Sequence, residues 1–86
     1  MKNPIINNLI KQFESIKEEF NKNKLPTISK LDAETLLNVT NKIKDEYTMA
    51  KANKELIEEL DILANQISHY IQDLEGLLEN ESTSSL

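Results

Sequence analysis

The side chains that could do chemistry are few in this chain of 86 residues. It has one histidine, one glycine and no cysteine. His69 is the sole imidazole, so any acid–base or nucleophilic scheme would have to converge on it. Asp61, Asn65 and His69 stand four residues apart and would share one face of a helix, which is enough for weak contact with a divalent ion but not for a built site. Di-iron bundles place a Glu-x-x-His pair on each of two helices. Here the pattern occurs once, as Gln66-Ile67-Ser68-His69, with an amide where the bridging carboxylate belongs.

Glu58 and Glu59 are adjacent and point to different azimuths of a helix, so they cannot share a proton as a catalytic dyad does. One glycine cannot make a phosphate-cradling loop, and zinc sites draw mainly on Cys and His. The expectation is therefore a chain with no enzymatic activity, no cofactor and no metal. Two sequons, Asn38-Val39-Thr40 and Asn80-Glu81-Ser82, matter only in a secreted protein. The final Ser84-Ser85-Leu86 has the form of a very short PDZ ligand and carries little information.

Charge is more informative. Residues 1–54 hold ten lysines against seven acids, a net of +3, whereas residues 55–86 hold eight acids and no Lys or Arg, a net of −8. The acidic half repels phosphates and anionic lipid and attracts cationic surfaces. Without arginine, bidentate contacts to guanine are also absent, so no nucleic-acid partner is expected; Lys11, Lys17, Lys22, Lys24, Lys42 and Lys44 are the candidates for a basic face. No apolar run is long enough to span a membrane, the N-terminus lacks the apolar core of a secretory signal, and a cytoplasmic location is expected.

The elements that position these residues read as all-α. Asn3-Pro4 is a helix start, and Ile6, Leu9, Phe13, Ile16 and Phe20 form one stripe on a first helix of about residues 4–21, ended by Leu25-Pro26. The next start is expected at Ser29 or Asp32. From there to Glu75 no glycine or proline intervenes, and Leu36, Val39, Ile43, Ala50, Ile57, Leu60, Ala64, Ile67, Ile71, Leu74 and Leu78 keep one heptad register. Leu56, Leu63, Tyr70 and Leu77 widen the stripe beyond what one neighbouring helix can cover.

Two arrangements follow. In one, a second helix of about 30–78 is continuous, making an antiparallel hairpin. In the other, a break at 48–54 folds it back into a three-helix bundle of roughly 18, 22 and 25 residues. Continuity is favoured because no turn residue stronger than Asn53 is present. Phe13, Phe20, Tyr47 and Tyr70 read as core, with the tyrosine hydroxyls reaching the rim, and residues 79–86 read as a disordered polar tail.

Such a chain is expected to be a protein-interaction module, comparable in composition to small acidic chaperones, adaptors or inhibitors. It would bury Leu56, Ile57, Leu60, Leu63, Ile67, Tyr70, Ile71, Leu74 and Leu77 against a partner protein with a basic surface or against a second copy. The alternative is a self-contained three-helix bundle serving as a structural subunit of a larger assembly.

Overall fold

A computed structural model describes residues 3–84 of the chain, with side chains described as far as Glu79. Three helices follow one another, α1 Pro4–Asn23, α2 Pro26–Met49 and α3 Lys54–Ser84. They pack side by side into an elongated bundle of 51 × 22 × 15 Å, so the fold is all-α.

The start of α1 is set as the Asn3-Pro4 pair requires. The Asn3 side-chain oxygen accepts from the Ile5 amide at 2.8 Å, and Pro4 occupies the first turn, where no amide is needed. The helix ends at Lys24, which takes a left-handed conformation (φ 52°) and donates its amide to the Phe20 carbonyl. α2 begins at Pro26, earlier than the expected Ser29 or Asp32. The same proline that disfavours helix at Leu25 is preorganised for the first helical position that follows. Asp32 therefore lies a full turn and more inside α2, away from the N-terminal dipole.

Of the two expected arrangements the structure takes the three-helix bundle, with its break within 48–54, and the favoured continuous helix of 30–78 is corrected. α2 and α3 are separate, joined by Ala50, Lys51, Ala52 and Asn53. Lys51 adopts φ 54°, a left-handed conformation that costs a residue with a Cβ about 1–2 kcal/mol. Asn53 then caps α3 by accepting from the Glu55 amide at 2.8 Å. The Ala52 amide closes the turn on the Tyr47 carbonyl at 3.0 Å. Because the chain reverses here, the single heptad register does not run through. Val39 and Ala50 are exposed, while Leu60, Ala64, Ile67, Ile71 and Leu74 are buried.

α3 also continues through Ser84, into the stretch expected to be a disordered tail. Nothing in residues 77–84 breaks a helix, and Gly76 sits in open space. Ser85 and Leu86, and with them the end of the PDZ-like motif, lie outside the described residues.

The core joins all three helices. Ile6, Leu9 and Phe13 from α1, Ala33 and Leu36 from α2, and Leu60, Leu63, Ile67 and Ile71 from α3 form one buried cluster. α3 is tied to α2 by ion pairs Lys44–Asp61 at 2.7 Å and Lys30–Glu75 at 3.7 Å. Both pairs are solvated, so each contributes at most about 1 kcal/mol.

Candidate functional site

The nine α3 residues expected to meet a partner divide into three groups once the chain is folded. Leu60, Leu63, Ile67, Ile71 and Leu74 are buried within the bundle. Leu56, Ile57 and Tyr70 are half-buried, and Leu77 is 42% exposed near the end of the bundle. The seam is thus occupied mainly by the chain's own first and second helices. Phe13 of α1 meets Tyr70 of α3 edge-to-face, ring centroids 5.6 Å apart and planes at 80°. That contact closes α1 onto α3.

Tyr70 departs from the expected rim position. Its hydroxyl is buried and has no hydrogen-bond partner among the described residues. Burial disfavours the phenolate and raises its pKa above the ordinary 10.0. With the hydroxyl stranded, Tyr70→Phe is expected to raise stability by about 1 kcal/mol, read as a higher denaturation midpoint at unchanged slope. The pH dependence has a definite sign. The unfolded chain ionises Tyr70 first, so the native protein loses stability as pH climbs above about 10, and Tyr70→Phe removes that part of the loss.

The other chemistry-bearing residues do not assemble. His69 is exposed on α3. Among the described residues, no group of three His, Cys, Asp or Glu side chains is placed to hold a metal ion. No described helix is long and apolar enough to cross a membrane. Of the lysines that could have made a basic face, Lys44 pairs with Asp61, while Lys17 and Lys24 lie 4.5 and 5.5 Å from the centroids of Phe13 and Phe20. These three are engaged with their own chain.

Besides singly exposed side chains such as Leu25 and Met49, two apolar features stand out on the outside among the described residues. The first is a row on α2, where Ile28, Leu31 and Val39 are 55%, 60% and 43% exposed, with Thr35 between them; Thr35 and Val39 also border a groove toward Ile16 of α1. Spacings of three and four place these residues on one stripe, legible in the sequence but masked by the broader α3 stripe. The second is a groove between α1 and α3, lined by Ile6, Ile10, Leu63 and the 57%-exposed Ile62, with Glu59 and Gln66 on its lip. It opens because α1 and α3 are the most loosely apposed pair of helices. Compared with protein-family models, curated proteins and solved structures, the chain matches none of them.

Proposed function

We propose that this chain is a non-enzymatic, self-contained three-helix bundle that acts as a protein-interaction subunit, keeping its α3 seam as its own core and meeting partners with its outer surface. The observation that carries this reading is the burial of Leu60, Ile67 and Leu74 inside a single chain while Ile28, Leu31 and Ile62 stay more than half exposed. A seam already filled gives no reason to require a second copy for folding. Ile28 and Leu31 on α2 and Ile62 on α3 are large aliphatic side chains outside the chain's own core, and they are the contact points this function would use.

The test is the concentration dependence of mass and melting. The isolated chain should sediment as a monomer and melt at one temperature across a hundredfold dilution series, because a monomeric two-state fold has no mass-action term. Leu31→Lys should leave that melting temperature within about 4 °C, as expected for an exposed site. A mass that rises with concentration, together with a melting temperature that rises in step, would show instead that the seam is completed between copies.

A further inference from the structure

We infer that the groove between α1 and α3 receives a cationic amphipathic helix from a partner protein, which docks as a fourth helix of the bundle. This rests on the proposal that the three-helix chain is complete by itself and binds through its outside.

The first support is shape and composition. The groove floor is Ile6, Ile10 and Leu63, and Ile62 stands at its edge, more exposed than an isoleucine with internal neighbours. A helix laid along two loosely apposed helices buries such a floor with one apolar stripe, in the manner of helix-in-groove recognition.

The second support is how charge is partitioned around α3. Asp61 and Glu75 face α2, where Lys44 and Lys30 neutralise them. The chain's own lysines thus answer the acids on one edge. On the other edge Glu55, Glu59 and Asp73 are exposed and make no ion pair among the described residues. Glu59 and Gln66 line the groove itself, and the spacings of four, seven and seven put Glu55 and Asp73 on the same ridge of α3 just beyond its two ends. Lys17, the nearby cation of α1, is held over the Phe13 ring two turns beyond Ile10. An apolar floor with an acidic lip matches an apolar stripe flanked by Lys or Arg.

A second copy of this chain fits less well. A two-fold interface puts the same patch on both sides, so the acidic ridge of one copy, with Glu55, Glu59 and Asp73, would face the acidic ridge of the other. The α2 row has no comparable one-signed border, with Asp32 and Lys42 both beside it, and nothing there selects an occupant.

The groove runs from Glu59 to Gln66, about 10 Å along α3, and the acidic ridge from Glu55 to Asp73 about 27 Å, so an 18-residue probe covers the groove and reaches the acids at both ends. The experiment titrates the full chain with a fluorescent 18-residue peptide of Leu and Lys patterned as an amphipathic helix, alongside a scrambled peptide of the same composition and one with Glu for Lys. Expected are saturable binding of the patterned peptide, weakening with salt, and at least about tenfold weaker binding of the scramble and of the Glu peptide. Ile62→Ser and the pair Glu55→Lys/Glu59→Lys should each weaken binding about tenfold with unchanged melting, whereas Leu31→Ser should change it less than about twofold. No binding at about 1 mM, equal binding of the scramble, or indifference to Ile62→Ser would overturn the inference. A loss on Leu31→Ser instead would overturn it too, by placing docking on α2. If the peptide fails while the free chain stays monomeric with concentration-independent melting, only the groove is overturned and the self-contained bundle stands.

Discussion

Substituting Asp for Ile67 should abolish the fold of the isolated chain at 25 °C, seen as loss of the helical circular-dichroism signal and of any cooperative melt. Ile67 is fully buried, and its cluster draws on all three helices. Removing the aliphatic side chain alone, as in Ile67→Ala, costs about 2–5 kcal/mol through lost burial and the cavity left behind. A carboxylate there adds several kcal/mol more, because the surrounding apolar side chains offer it no partner. The total stability of 86 residues is on the order of 4–13 kcal/mol, and a small bundle lies toward the low end. The penalty therefore equals or exceeds what holds the fold. The contrast is Ile62→Asp, one and a half turns earlier and 57% exposed, which should shift stability by about 0.5 kcal/mol or less. An Ile67→Asp chain that remains helical and monomeric would contradict the core as described; one that remains helical but loses self-association would restore the seam to the role of an interface.

The residues of that core are legible in the spacing of apolar side chains along the chain. Ile6, Leu9 and Phe13 on one stripe, and Leu60, Ile67, Ile71 and Leu74 on another, follow from helical periodicity, and all are buried. What spacing does not supply is the identity of the covering surface. The α3 stripe is too wide for one neighbour, which is a statement about area, and area is satisfied equally by α1 and α2 of the same chain or by another molecule. The Phe13–Tyr70 contact decides between them, and it joins residues 57 positions apart. Likewise the groove at Ile62 depends on how far α1 stands from α3, a quantity that no local pattern encodes. His69, by contrast, is readable as an outward residue from its heptad position alone.

The turn between α2 and α3 is the hardest feature to read from the residues, for a physical reason. Its left-handed residue is Lys51, where glycine would have announced it, and the one conventional signal is Asn53, whose capping oxygen holds the Glu55 amide. Local propensity over residues 48–54 favours helix, and the chain bends because burying the α3 seam outweighs a strained lysine. A tertiary effect has overridden a secondary preference. Pro26 poses a milder version of the problem, since the same residue closes one helix and opens the next.

That balance makes the turn a point at which two substitutions should convert the monomer into a domain-swapped dimer. In the double variant Lys51→Ala/Asn53→Ala, residues 50–53 become four consecutive alanines. Losing the Asn53 cap costs the closed form about 1 kcal/mol, and alanine at position 53 favours helix by up to about 0.7 kcal/mol. The closed form also keeps a left-handed residue at position 51 that a continuous helix would relieve. The net bias introduced is about 1.5 kcal/mol per chain, or about 3 kcal/mol per dimer, which raises the dimerisation constant roughly a hundredfold. In the open form residues 26–84 would be a single helix of about 90 Å. Leu60, Ile67 and Leu74 of each copy would then bury against α1 and α2 of the other, repeating every core contact across the pair. Light scattering should report a mass that doubles with concentration, and small-angle scattering a radius of gyration well above the 14.8 Å of the closed chain. Lys51→Gly is the opposing control. Glycine adopts φ 54° without strain and disfavours helix, so this variant should stay monomeric and gain about 0.5–1 kcal/mol. A double variant that loses only the cap energy and remains a monomer would mean that the reversal is fixed by the packing of Tyr47 and Leu56 on the core, and that the turn residues merely follow it.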